Sequence, residues 1–192
     1  LIIEDRVKKL KEVHQTLLKT KRQMHEQLAI STFNEVYFNE EVEERILMVK
    51  TNNLTPVYIP NSYYTSLKTT VENEGSIVPS RYGGIYPFKQ YKDILGIHYN
   101  YLFTPLMTDR YIQLPYENTD IQTKKAGKYI CIAFIFETNT YFERYEQLRH
   151  YILTHELDVY PDVYEIYMPT NYSPLKEDEF IVELKLRIRE NS

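Results

Sequence analysis

The sequence predicts an α+β protein in which a long coiled-coil helix precedes a duplicated β-α-β-β arrangement. Two observations lead to this fold class. The first 28 residues contain neither Gly nor Pro and carry apolar side chains at heptad spacing. Beyond them, the order strand, helix, strand, strand occurs twice along the chain. With 192 residues and 43% apolar composition, the chain can bury a substantial core.

The N-terminal segment predicts a dimerisation helix, which we assign to a domain of residues 1–30. Its seam positions follow a 4-3-4-3 spacing: Ile3, Val7, Leu10, His14, Leu17, Lys21, Met24 and Leu28. An apolar stripe this narrow favours pairing with a second helix, and therefore a homodimer, over docking on the chain's own domain. His14 and Lys21 interrupt the seam with polar groups that can set register or partner number.

Residues 31–192 form the second predicted domain, and its first half begins with a strand at 43–51. A helix at 62–75 follows, with Tyr64, Leu67 and Val71 on one face and Gly75 as its stop signal. Two further strands are predicted, at 81–88 and 98–107. They complete the first β-α-β-β unit.

The second half repeats this order, beginning with the strongly apolar strand YICIAFIF at 129–136. Thr140 and Glu143 form a capping-box pair that opens a helix. The apolar face of that helix comprises Tyr141, Tyr145, Leu148 and Ile152. The strands VYEIYMP and FIVELKLRIR complete the unit, and the second alternates cleanly. Such a duplication would place two sheet edges and two helices around a central cleft, which is a usual place for a ligand.

The composition is rich in tyrosine, with 19 Tyr and 8 Phe but no Trp. Tyrosine suits adaptable binding surfaces, and it also packs well in strands, so composition leaves both interpretations open. The net charge is −4. The first 28 residues are basic and the remainder is acidic, which argues against nucleic acid as a direct ligand of the main domain and is compatible with cationic ligands.

Several classes of site are not indicated by the sequence. The histidines and the single cysteine, Cys131, show no metal-ligand spacing, so we expect no metal and no cofactor. Gly83 and Gly84 lack the Lys-Ser/Thr of a phosphate loop and instead predict a turn, a bulge or a close backbone approach to a ligand. No run is apolar enough to span a membrane, and one cysteine fits a reducing cytoplasm. The start at Leu1 suggests a piece of a longer protein.

One carboxylate, Glu165, interrupts the aromatic strand DVYEIYMP. Alternation separates two faces of this strand: Val163, Glu165 and Tyr167 on one, and Tyr164, Ile166 and Met168 on the other. If the first face meets solvent, Glu165 is an ordinary surface residue. If it points into a cleft, desolvation raises the carboxyl pKa and favours a poorly hydrated cation, to which tyrosine faces add about 0.5–2 kcal/mol each. The pattern alone leaves both interpretations open.

A resemblance to a known family distinguishes between them. The chain resembles the C-terminal half of the MerR-family multidrug-binding transcription activators, which regulate bacterial drug-efflux genes. The resemblance covers nearly the whole chain, through the runs KTKRQM, YTSLK, YGGIYPFKQY, YLFTPLMT, GKYICIAF, YF, DVYEIYMPTNYSP and VELKLRI. It implies a duplicated β-α-β-β, GyrI-like effector-binding domain behind an antiparallel coiled-coil helix, without the winged helix-turn-helix DNA reader.

The resemblance also implies a set of ligand-binding residues and no catalytic ones. Glu165 matches the buried carboxylate that neutralises lipophilic aromatic cations such as tetraphenylphosphonium and rhodamine dyes. The pocket side chains that accompany it are Tyr64, Tyr82, Tyr99, Tyr141, Phe136, Tyr167 and Phe180. Tyr167 and Phe180 depart from the family pattern, where an aliphatic residue and a tyrosine are found. We expect these departures to alter the drug spectrum rather than the mode of binding.

The implied function is ligand-controlled transcription activation. In the family, a cytoplasmic homodimer binds a promoter whose two elements are spaced too far apart, and effector binding lets it distort the DNA for RNA polymerase. This chain would keep drug binding, while promoter DNA and RNA polymerase would be partners only of the full-length parent. Two alternatives remain, a GyrI-like small-molecule hydrolase using the pocket Glu and Tyr, and a protein-interaction module.

Overall fold

The protein is described by a computed structural model that covers residues 2–28, 32–58, 65, 67, 69–70, 81–114, 117–169 and 180–190. Its secondary-structure elements are α1 (Ile2–Leu28), β1 (Val36–Glu41), β2 (Glu44–Lys50), β3 (Tyr82–Pro87), β4 (Tyr101–Pro105), β5 (Thr119–Lys124), β6 (Gly127–Ile135), α2 (Thr138–Thr154), β7 (Asp162–Pro169) and β8 (Phe180–Arg187). A 3-10 turn at Ile94–Gly96 precedes β4.

Most predicted elements are present, with ends that differ by a few residues. Tyr64, Val71 and Gly75, which belong to the helix predicted at 62–75, lie outside the described residues; the described positions 65, 67, 69 and 70 are helical, and Leu67 is buried. The side chains of Met24 and Leu28 also lie outside the described set.

The sheet contains eight strands within the described residues, in the order β1-β6-β8-β7-β3-β4-β2-β5, and every pair is antiparallel. Its centre is the pair of β3 and β7. Reading outward, β3, β4 and β2 of the first unit mirror β7, β8 and β6 of the second. The predicted duplication is therefore confirmed, and the two copies meet along β3 and β7.

The two outer strands, β1 and β5, were not predicted. Their sequences, VYFNEE and TDIQTK, are largely polar and half exposed, so they lack the apolar run that indicates a buried strand. Each forms because a neighbour offers a free edge. β1 pairs with β6, and β5 pairs with β2.

Both ends of the sheet are joined by short connections. β1 lies at one end of the strand order and β2 lies near the other end, yet only two residues, Val42 and Glu43, connect them. Lys125 and Ala126 connect β5 to β6 in the same way. Two residues span only about 10 Å when extended, so the sheet has to roll until its ends meet. The side chains of Glu41 on β1 and Lys124 on β5 form an ion pair across this closure.

The predicted buried face of α2 is confirmed, whereas its predicted start is wrong. Tyr141, Tyr145, Leu148 and Ile152 are the buried residues of this helix. The helix begins at Thr138 with Glu137 as N-cap and no side-chain capping bond, so Thr140 and Glu143 form no capping box. The reason is that β6 ends at Ile135, which leaves only two residues before the helix.

Two apolar clusters occupy the two faces of the sheet. The larger cluster packs α2 and the segment before β4 against one face, which carries Tyr86, Leu184 and other buried residues. The smaller cluster includes Met48, Phe103 and Ile166 on the other face. Side chains from β1, β5 and β8 meet on this second face, which is therefore the inside of the roll.

Candidate functional site

The candidate site is built around Glu165, at the middle of β7. Its register partners are Gly84 on β3 and Leu184 on β8, so it lies beside the junction of the two repeats. The residue is 0% exposed. The predicted alternation holds, because Val163 and Tyr167 belong to the larger cluster, while the other face packs in the smaller one. The carboxylate face is thus interior, not a surface.

Two glycines of β3 make room for this arrangement. A Cβ atom on Gly84 would collide with the ring of Tyr99, and one on Gly83 would meet the carbonyl oxygen of Glu165 and the ring of Phe103. Both lie within the strand, so neither a turn nor a bulge forms there. The group that approaches the backbone of Gly84 is the ring of Tyr99, and a close approach to a ligand stays a prediction.

Tyrosine hydroxyls donate hydrogen bonds to both oxygens of the carboxylate, and three tyrosines take part. Tyr99, just before β4, reaches Oε1, and Tyr141, in the first turn of α2, reaches Oε2. Both tyrosines are buried, at 1% and 0% exposure. The segments that carry them come from different repeats, so the two halves of the chain jointly hold Glu165.

Tyr167 is the third donor to the carboxylate, and Tyr86 extends these contacts by one further hydroxyl. The hydroxyls of Tyr167 and Tyr99 lie 3.3 Å apart, and those of Tyr86 and Tyr141 lie 3.0 Å apart. Tyr86 was not among the predicted site residues. Alternation along β3 places Tyr86 on the same face as Gly84. Only the structure shows that Gly84 is the register partner of Glu165, so no sequence signal linked Tyr86 to the site.

The other predicted side chains form an aromatic wall beside the carboxylate. Phe136 lies 5.9 Å from Tyr167 and 6.2 Å from Tyr141, measured between ring centroids. Phe180, at 39% exposure, contacts the Tyr167 ring edge-on at 6.4 Å. Tyr82 is half-buried and pairs with Tyr167 across β3 and β7. Tyr64 is outside the described residues, so its placement stays a prediction.

Burial governs the electrostatics of the site. Desolvation raises the pKa of Glu165 from an ordinary 4.5 to about 7, against the lowering effect of hydrogen bonds from Tyr141, Tyr167 and Tyr99. Burial, followed by the nearby carboxylate, likewise raises the pKa values of Tyr99 and Tyr141 well above the usual 10. Within the described part of the chain, no basic side chain forms an ion pair with Glu165.

Across the described ranges, no group of three or more His, Cys, Asp or Glu side chains is arranged to hold a metal ion. The described helices include none with the length and apolar character needed to cross a bilayer. Cys131 is buried on the opposite face of the sheet, away from Glu165.

The sequence of the chain is similar to that of one characterised regulator. No protein-family model matches the chain. It is 32% identical over 188 residues to the multidrug-efflux transporter 1 regulator of Bacillus subtilis (strain 168), which covers 98% of this chain and 68% of that protein.

Among solved structures, the EcmrR C-terminal domain matches with a TM-score of 0.60 at 12% identity, over 82% of this chain and 98% of that one. EcmrR in a DNA complex matches with a TM-score of 0.57 at 12% identity, over 100% of this chain and 70% of that one. A hydrolase from Listeria innocua matches with a TM-score of 0.55 at 10% identity, over 87% of this chain and 98% of that one. At these identities the structures show a shared fold alone. From its sequence match, the chain belongs to the MerR-family regulators of multidrug-efflux transporters, as their effector-binding region.

Proposed function

We propose that this domain binds lipophilic aromatic monocations, with Glu165 as the neutralising anion. The observation that carries the proposal is a fully buried carboxylate whose described partners are tyrosine hydroxyls. Leaving a buried carboxylate without a counter-charge costs several kcal/mol, so a ligand that brings a positive charge gains that energy on binding. A large aromatic cation is weakly hydrated and therefore loses little on leaving water.

The aromatic wall supports the same ligand class. Phe136, Tyr167 and Phe180 lie in ring contact beside the carboxylate, and each ring face can attract a cation by about 0.5–2 kcal/mol. The hydroxyls of Tyr99 and Tyr141 hold the two carboxylate oxygens in place. The carboxylate thus selects for a positive charge, while the aromatic wall accepts ligands of different shapes.

The binding domain would serve as the switch of a cytoplasmic transcription activator of efflux genes. A ligand shifts such a switch only by binding one state of the protein more tightly than the other. We propose that α1 pairs the domain into a homodimer, and that promoter DNA and RNA polymerase engage the full-length regulator. The name of the Bacillus relative, a regulator of a multidrug-efflux transporter, supports this assignment.

The test is a calorimetric titration of tetraphenylphosphonium against the wild type and Glu165→Gln at pH 8. We expect a dissociation constant in the micromolar range, about −8 kcal/mol, for the wild type. The variant should bind at least about tenfold more weakly, a loss of about 1.4 kcal/mol or more. A control is Glu143→Gln, since Glu143 is an exposed glutamate on α2, outside the helix's buried face. Equal affinity of the wild type and Glu165→Gln would reject the neutralising role.

A hydrolase is the second candidate, because Glu165 has a raised pKa beside two tyrosines, as a general acid or base requires. The same fold occurs in a hydrolase from Listeria innocua. Incubating the protein with an aromatic ester or epoxide distinguishes the two functions. Turnover lost in Glu165→Gln would favour the enzyme. Reversible cation binding without turnover would favour the sensor.

A further inference from the structure

Glu165 lies between two short chains of tyrosine hydroxyls. One runs from Oε1 to Tyr99 and on to Tyr167, and the other runs from Oε2 to Tyr141 and on to Tyr86. A hydroxyl donates one hydrogen bond and accepts others, so each chain can point its hydrogens in either direction. This property decides how many protonation states the site can hold without a broken hydrogen bond.

We propose that a lipophilic monocation and a proton compete for Glu165, so that binding a permanent cation expels one proton from the carboxyl group to solvent. The inference rests on the proposed function and adds a proton to its stoichiometry. The protonated protein and the cation yield the carboxylate–cation complex and one proton, which passes to solvent. The O–H bond of the carboxyl group is the covalent bond that breaks.

The hydrogen-bond geometry accommodates both states. When the carboxylate is charged, Tyr99 and Tyr141 each donate to one of its oxygens, and Tyr167 donates as well. When Oε1 carries the proton, the carboxyl group donates to Tyr99, and Tyr99 turns its own hydrogen towards Tyr167, 3.3 Å away. When Oε2 carries the proton, Tyr141 turns towards Tyr86, 3.0 Å away. Tyr86 is therefore a positioning residue that keeps the neutral site satisfied, whereas Tyr167 does so both through Tyr99 and by its own bond to the carboxyl group.

The groups around the carboxylate leave it without a fixed counter-charge in the described structure. β3 contributes Tyr82 and Tyr86 to this face, β7 contributes Tyr167, α2 contributes Tyr141, and the segment before β4 contributes Tyr99. β8 contributes the apolar Val182 and Leu184. A site walled by neutral groups favours the neutral carboxyl when empty. Its pKa of about 7 supports this, because it divides the two states near neutral pH.

The experiment measures proton release during tetraphenylphosphonium binding, a probe that does not itself titrate. Calorimetry is run in two buffers of different ionisation enthalpy, at pH 6 and at pH 8.5. We expect about 0.9 proton released per cation at pH 6 and less than about 0.1 at pH 8.5, with roughly tenfold weaker apparent affinity at pH 6. Glu165→Gln should release no proton at either pH.

A matched pair of variants tests whether the tyrosine hydroxyls set this exchange. Tyr141→Phe removes a hydrogen bond to the charged carboxylate, so the pH at which release is half-maximal should rise by about one unit. Tyr145→Phe lies one turn further along α2 and loses only bonds to the backbone of Lys89, 2.5 and 3.2 Å away. It should leave that pH unchanged. A merely structural effect would not separate the two variants in this way.

The outcomes separate this inference from the proposed function. Cation binding at pH 6 without proton release would overturn the competition while leaving a cation-binding site at Glu165. Proton release that persists in Glu165→Gln would assign the proton to another group and overturn the inference as well. No binding of the probe at pH 8.5 would reject both the cation site and the competition.

Discussion

At the scale of the residue, the character of the site follows from one carboxylate and one glycine. Glu165 is paired in the sheet with Gly84, and the absent side chain of Gly84 lets the ring of Tyr99 lie against the strand and reach the carboxylate. Any larger residue at position 84 would push Tyr99 away. Burial then makes the charged form of Glu165 costly, which is the property that a cationic ligand can use.

The same burial predicts how stability changes with pH. The pKa of Glu165 is about 7 in the folded protein against 4.5 ordinarily, so the folded state holds more protons between these values. Its free energy of unfolding therefore falls as pH rises through this window. We expect the free energy of unfolding of the wild type, relative to that of Glu165→Gln, to fall by about 2–3 kcal/mol from pH 5 to pH 8. Urea unfolding at several pH values measures it. A difference that stays constant with pH would contradict a proton-holding carboxyl group.

At the scale of the element, a group of buried ions closes the rolled sheet. Lys185 on β8 lies 2.6 Å from both Glu41 and Glu183, and Lys124 on β5 pairs with Glu41. Tyr37 on β1 donates to Glu183. Burial favours protonation of Glu41, but Lys185 and Lys124 outweigh it and lower the pKa of Glu41 to about 2. These contacts join β1, β5 and β8, which are not hydrogen-bonded neighbours in the sheet.

Two neighbouring lysines test this closure. Lys124 is 3% exposed in its buried ion pair, whereas Lys125 is 62% exposed and lies 3.6 Å from Glu43. Lys124→Met should lower the free energy of unfolding by about 3–5 kcal/mol, because it leaves Glu41 with one buried partner fewer. Lys125→Met, the matched control, should change it by less than about 0.5 kcal/mol. Denaturant unfolding of both variants provides the comparison, and equal stabilities would show that the ion group does not hold the sheet closed.

At the scale of the whole molecule, α1 is an element whose described apolar side chains lie outside the core. Ile3 is 76% exposed, Leu10 68% and Leu17 55%. An ion pair 3.6 Å long, between Glu12 and Arg110, connects the helix to the segment after β4, and such exposed pairs are weak. An apolar seam of heptad spacing left in water favours association with a second copy.

This seam predicts the oligomeric state. The wild type should be a dimer at tens of micromolar concentration, with a mass twice that of the chain in light scattering after gel filtration. Leu10→Glu combined with Leu17→Glu should yield monomers, because two charges would enter each paired seam. Lys9→Ala, on the same helix but off the seam, should remain dimeric. A wild type that is monomeric at these concentrations would contradict the prediction.

Much of the fold and part of the site could be predicted from the sequence. The heptad spacing of α1, the two strand–helix–strand–strand units and the buried face of α2 are local patterns, because each depends on residues a few positions apart. Alternation along DVYEIYMP correctly separated the Glu165 face from the Ile166 face. The capping box was wrong, since the length of the connection after β6 set the start of the helix.

Only the tertiary structure decided what surrounds Glu165. Its bonds to Tyr99 and Tyr141 join residues 66 and 24 positions apart, and the place of Tyr86 depends on the register between β3 and β7. The same holds for β1 and β5, which exist because partner strands present free edges. Local periodicity specifies which face of an element is apolar. Which side chains meet across the fold depends on strand order, register and closure of the sheet, and these are settled only when distant parts of the chain pack together.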